Sequence, residues 1–413
     1  MGRRVRRTVL PGGTRVVTER VPNARSVSLG IWVAVGSRDE PPERAGVSHF
    51  LEHLLFKGTA SRDARQIAVA VDALGGEMNA YTSKEHTVFY LRVPTAGAGV
   101  ALDLLVDLVA EPALRAEDVA GERTVILEEL AACEDSPEDR VDDLLWRALF
   151  PSHPLGWDVL GTEATVEAMD REAVAEFFGR WYRPGNLVVA AAGAVDHAAV
   201  VEAAARLDVP GRGEVPLRAA PERPVKRVAI QRRATEQAHL ALGWRGPGYR
   251  DGDRVALDVL EQVLGGGPSS RLFQEVREQR SLAYTVYASA AEFVDVGALA
   301  VYAGVTPDRA REALAVIGDI VGDLAAHGVT DEELAVAKGY LEGSMWLSLE
   351  DNPSRMSRIG WWEVTEGRVP PPEEYLAELA ALRAADVARV AARVLSGPRV
   401  LAAVGPFRAS DLQ

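Results

Sequence analysis

Apolar and polar positions along the chain change period repeatedly, and each change marks an element. Residues 15–20 and 26–35 carry strand-type patterning, separated by Pro22-Asn23. Around residue 47 the spacing becomes helical. A second helix is predicted over 63–74, with Ser61 as its cap, and Gly75-Gly76 closes it. Residues 77–82 and 86–93 then alternate as a strand pair. Helices are predicted over 96–110, 116–132, 138–149 and 166–182, a buried strand over 187–192, and a helix from 197 to about 206.

Residues 209–224 contain four prolines and two glycines, which predicts an interdomain linker. Beyond it the order of elements starts again: strands over 228–231 and 239–244, helices over 253–264 and 271–278, and a strand pair over 284–292 and 297–303. Helices over 309–326, 331–349, 354–366 and 384–395 follow, with a last strand over 400–404. Two halves of one plan, 1–208 and 225–413, are therefore expected, repeating with a period of about 210 residues. In that register Asp258 stands where His49 stands and Gln262 where His53 stands.

The helix that opens near residue 47 carries the chemistry. His49, Glu52 and His53 fall on one helical face, leaving Phe50, Leu51, Leu54 and Leu55 free to pack. Two imidazoles one turn apart can hold one metal ion, and a carboxylate beside them that is not a ligand can take a proton from water on that metal. With 7 His and 60 acidic residues in 413, the pattern His-x-x-(Asp/Glu)-His arises by chance only about 0.02 times per chain. Its order inverts His-Glu-x-x-His, the inverzincin arrangement. A third ligand is required. Glu122, Glu128 and Glu129 share one predicted helix; Glu122 and Glu129 lie two turns apart on one face, and Glu128 is rotated from Glu129 by about 100°. Glu129 as ligand with Glu122 behind it fits that spacing, as does an ordinary solvated acidic face.

Composition narrows the surroundings. A chain of 413 residues is too long for one ordinary core, and 47% hydrophobic with 26% charged residues is a globular balance. The net charge of −14 argues against nucleic acid as partner and could draw basic peptides. The basic start Met1-Gly-Arg-Arg-Val-Arg-Arg resembles a signal peptide's first region, but no apolar stretch follows it; no secretion signal and no membrane partner are expected. The single Cys133 permits no internal disulfide and suits a cytoplasmic location. It lies four residues after Glu129, where it could face a metal, though a lone thiol usually packs.

His49-x-x-Glu52-His53, followed 76 positions later by Glu129 with Glu122 seven before it, resembles the pitrilysin, insulysin and mitochondrial processing peptidase family of zinc metallopeptidases. The likeness is strongest to the processing-peptidase branch, whose chains have this length and two similar halves. It extends through Leu74-Gly-Gly-Glu-Met-Asn-Ala-Tyr-Thr82, Pro154-Leu-Gly156, Leu160-Gly-Thr-Glu163 and Tyr182-Arg-Pro-Gly-Asn186. Gly265, Gly266 and Gly267 resemble the glycine-rich loop that processing peptidases use on substrate, with Pro268 removing one backbone donor. Arg277 and Tyr284 resemble the family's Arg and Tyr pair that reaches from the second domain to the peptide.

The resemblance implies an α+β fold of two homologous α/β-sandwich repeats, each a mixed or antiparallel sheet packed with helices. It implies one Zn²⁺ per chain on His49, His53 and Glu129, Glu122 supporting, and Glu52, Tyr284 and Arg277 as catalytic residues. Substrate would be a peptide or extended polypeptide pairing with the 77–82 strand near Asn79 and Ala80. Some members of the family keep the fold as silent structural or partner subunits; the full ligand set here points to an active enzyme. Because the chain carries both the ligand set and the glycine loop, a homodimer enclosing the site is expected.

Overall fold

The computed structural model describes residues 5–412; residues 1–4, the first part of the basic start at 1–7, lie outside it. The chain forms two compact units. One comprises the described residues up to Leu130 with Trp157–Arg218 and Trp346–Pro370; the other comprises Ala131–Gly156, Ala219–Met345 and Pro371 onward. This departs from a division into 1–208 and 225–413, because each unit holds a segment from the other half of the sequence.

The first unit is built on a six-stranded sheet in the order β1 (Val5–Val9), β2 (Arg15–Arg20), β6 (Leu187–Gly193), β3 (Ser26–Val33), β5 (Thr87–Pro94), β4 (Glu77–Thr82). Only β2 and β6 run parallel; the other neighbours are antiparallel. The second unit repeats this order without the first strand: β7 (Val228–Arg232), β11 (Val400–Gly405), β8 (Ala238–Gly246), β10 (Gly297–Val305), β9 (Ala283–Glu292). Again one pair, β7 with β11, is parallel. Two mixed sheets that share one order over five strands are what a duplicated sequence should produce.

The exchanged segments are helices, and burial explains them. In the first unit Asn352–Glu366 lays Met356 and Ile359 on Val17, Trp32, Val88 and Val188, the sheet face opposite the main core. In the second, Pro137–Leu149 lays Val141, Leu145 and Leu149 on Ala241, Ala298, Val400 and Ala402. With both faces covered, β6 is buried at every position, which is why it reads as a continuous apolar run.

Several elements differ from the sequence expectation. The 166–182 helix is two, Glu163–Glu167 and Arg171–Trp181, because Asp170 caps the second by accepting the Ala173 N–H at 2.7 Å. Ser61 is not the cap of Ala64–Ala73; Asp63 is, in a reciprocal bond with Gln66, while the Ser61 hydroxyl binds Asp107 at 3.0 Å. Phe273–Gln279, which overlaps the predicted 271–278 helix and runs one residue past its end, is π-helical. Strand β1 and the helix Pro372–Ala381 had no counterpart in the sequence reading.

Candidate metal centre

The first unit contains the whole of the predicted ligand set. Helix Val47–Leu55 buries Val47, Phe50, Leu51, Leu54 and Leu55 in the core and leaves the other face to His49, Glu52 and His53. Its start is fixed by Glu40, a buried carboxylate whose two oxygens accept the N–H groups of Gly46 and Ser48, each at 2.7 Å. Burial pushes the Glu40 carboxyl up to about 8, against those two donors. Gly46 has φ +95°, and a side chain there would meet the Leu160 carbonyl at 2.5 Å. Gly161, at φ +84°, would meet the Ala45 carbonyl at 2.2 Å. The two backbones cross with no room for a Cβ on either, which gives Leu160-Gly161 its place beside the motif.

Helix Ala116–Asp135 brings the acidic pair opposite. The Glu129 carboxylate lies 3.8 Å from Nε2 of His49 and 3.7 Å from Nε2 of His53. One ligand atom from each of these three residues falls within 4.8 Å of the others, the one such group of three or more among the described residues, and Cys133 is not in it. Glu122 is buried and sits behind them: Oε2 is 3.0 Å from Nδ1 of His53, and Oε1 is 2.5 Å from Nζ of Lys57. A carboxylate on Nδ1 fixes the tautomer that leaves Nε2 free to ligate. His49 has no such support, since its buried Nδ1 has no hydrogen-bond partner among the described residues. Burial, with the nearby His53, lowers the His49 pKa to about 4, so its imidazole is neutral at physiological pH.

Glu52 is 9% exposed and does not belong to the ligand group. Burial raises its pKa, and the Thr82 hydroxyl, which donates to Oε2 at 2.6 Å, works the other way. The hydroxyl of Tyr182, a fully packed side chain, is pushed up by burial and by the negative charge of Glu52. The donor set fits zinc. Tetrahedral coordination at about 2.0–2.1 Å spaces donor atoms about 3.3 Å apart, so the 3.7 and 3.8 Å separations need close by only a few tenths of an ångström.

The chain is 45% identical to an uncharacterized zinc protease of Streptomyces coelicolor over 418 aligned residues, covering 98% of this chain and 90% of that one. Residues 15–163 match the insulinase model of peptidase family M16, and residues 168–341 match the model of the M16 inactive domain. The chain belongs to the M16 insulinase family. An uncharacterized zinc protease of Mycobacterium tuberculosis is 46% identical, with 97% of this chain and 93% of that one covered. Among solved structures, a protease from Helicobacter pylori superposes with a TM-score of 0.89 at 22% identity, covering 97% of this chain and 99% of that one. The M16 inactive domain from Pseudomonas fluorescens gives 0.89 at 23% identity, covering 98% and 99%. Both share this α+β fold of two mixed sheets packed with helices.

Asn79 is exposed on β4, an edge strand, and its Oδ1 accepts the N–H of its neighbour Ala80 at 2.8 Å. In the second unit the Arg277 guanidinium lies over the rings of Phe273 and Tyr284, 4.7 and 5.0 Å from their centroids, and Tyr284 is 79% exposed. Gly265 ends helix Arg254–Gly265 against β9, where a Cβ would meet the Ala288 nitrogen at 2.3 Å. A Cβ on Gly266 would meet Oε1 of Gln262 at 2.3 Å, whereas Gly267 has room. Asp258, the counterpart of His49, accepts the Tyr375 hydroxyl at 3.0 Å and is raised by burial, as is Glu261, to about 7.

Lys57, Thr82 and Glu40 were absent from the residues expected at the site. Lys57 follows His53 by four residues and could have been found from that interval; Thr82 and Glu40 reach the helix only through the fold. Among the described residues no single helix is long and apolar enough to cross a membrane.

Proposed function

We propose that this chain is a zinc-dependent endopeptidase acting on peptides or extended polypeptide segments. The observation that carries the reading is the convergence of His49, His53 and Glu129 beside Glu52, a buried carboxylate that is not one of them. Zinc held by those three side chains would acidify water and polarise a carbonyl. Glu52 takes the proton of the attacking water and returns it to the leaving amine, and its raised pKa suits a group that must do both. Glu122, braced by Lys57, keeps His53 oriented. Edge strand β4 offers its open side to an extended substrate, whose main chain would compete with Asn79 for the Ala80 N–H. Arg277 and the exposed Tyr284 are the residues of the second unit assigned to substrate, and Gly267 is the member of the glycine loop where a Cβ would make no clash, only a 3.4 Å contact with Nε2 of Gln262. The assembly proposed is a homodimer.

The test is hydrolysis of a mixture of basic and unstructured peptides by the protein and by Glu52→Gln, with and without chelator. Zinc-dependent cleavage that Glu52→Gln abolishes while retaining its metal is the expected result. A Glu52→Gln protein that still cleaves in the presence of chelator would remove the mechanism, and a purified chain that binds no metal would leave it a structural subunit. Light scattering that returns a monomer would remove the homodimer.

A further inference from the structure

We propose that Thr82 is a positioning residue for Glu52: its hydroxyl keeps hold of Oε2 and so leaves Oε1 as the oxygen that takes and returns the proton. The inference rests on the peptidase reading above and assigns a task within it. The Thr82 hydroxyl has one proton to give, and it is given to Glu52 at 2.6 Å, a short hydroxyl–carboxylate bond. Both ends of that bond are held. Thr82 is the last residue of β4, paired across the ladder with Thr87, and its branched side chain is stiff about χ1. Glu52 is carried by a helix anchored in the core, and at 9% exposure it has little water with which to turn.

A carboxylate free to rotate presents either oxygen to water and spends part of its time misaligned. Anchored through Oε2, it presents one oxygen in one direction, and the proton moves from water to Oε1 and then to the amine nitrogen. Thr82 also belongs to β4, the edge strand whose open side takes the substrate. The pairing that binds the peptide therefore steadies the strand that aims the base, so binding and proton transfer share one element.

Thr82→Val keeps the shape and the strand preference and removes the hydroxyl; Thr82→Ser restores it. With zinc-loaded proteins on an unstructured peptide, Thr82→Val should lower kcat about 10- to 100-fold, with KM and zinc content unchanged, and Thr82→Ser should recover most of the loss. A crystal structure of Thr82→Val should show the Glu52 carboxylate turned from its present orientation. Parental kcat in Thr82→Val, a change confined to KM, or a Glu52 carboxylate still in place would each overturn the assignment. Should the parent cleave no peptide, the peptidase reading falls, and the orientation of Glu52 in the Thr82→Val structure still decides whether Thr82 holds it.

Discussion

His53 has a carboxylate on both sides of its ring: Glu129 lies 3.7 Å from Nε2, while Glu122 on Nδ1 is itself paired with Lys57. His49 has the first kind of contact and not the second. The two imidazoles should therefore differ in what their surroundings contribute. Glu122→Gln should weaken zinc binding about 10- to 100-fold, measured by competition with a chromophoric chelator, because His53 loses the carboxylate that orders it. Glu129→Gln should abolish stoichiometric zinc, since it removes one of the three side chains proposed to hold the ion. Equal affinities for Glu122→Gln and the parent would show that the buried Glu122 does not order His53 for metal binding. The His49 and His53 face was legible in the sequence because one helical turn is a distance that spacing fixes; Glu129 was singled out by the family resemblance, since two turns from Glu122 suits a solvated acidic face equally well. Thr82 and Glu40 were not legible, since 30 residues separate Thr82 from Glu52 and only sheet topology closes that gap.

At the scale of elements, the motif helix depends on how it begins. The Glu40 carboxyl is held near 8 when folded, against 4.5 when free. Between those values the folded protein keeps a proton that the unfolded chain has released, so stability falls as pH rises from about 4.5 to 8. Glu40→Gln, which cannot ionise, should show a flatter decline in urea midpoint across that window, and an unchanged slope would count against the Glu40 contribution. The crossing of Gly46 with Gly161 gives a second expectation. Gly161→Ala combines a positive φ with a Cβ aimed at a carbonyl, and should cost about 2 kcal/mol or more in chemical denaturation. Element boundaries were read less well than elements. Asp170 breaks an apolar run that is periodic on both sides of it, and the arginines of β1 hide a strand whose Arg7 is paired with the buried Glu363.

For the whole molecule, the duplicated plan was legible and the exchange of helices was not. Periodicity says that 354–366 is an amphipathic helix, but it does not name the sheet it covers. That sheet belongs to the unit otherwise formed by the first half, so residues 1–208 produced alone should be insoluble or bind a hydrophobic dye. Co-expression with 209–413 should restore solubility, and a soluble, well-dispersed NMR spectrum from 1–208 alone would contradict the dependence. Within the intact chain, Ile359→Ala should cost about 2–5 kcal/mol, because its side chain is wholly buried against Val17, Trp32 and Val188.

The same exchange sets an order of events during synthesis. The strands that carry Trp32, Val88 and Val188 leave the ribosome well before Met356 and Ile359 do. At ordinary elongation rates the interval is on the order of ten seconds, far longer than local folding takes. For that time one face of a nearly complete sheet has nothing to cover it, and a nascent chain in this state is a natural client for a chaperone at the ribosome.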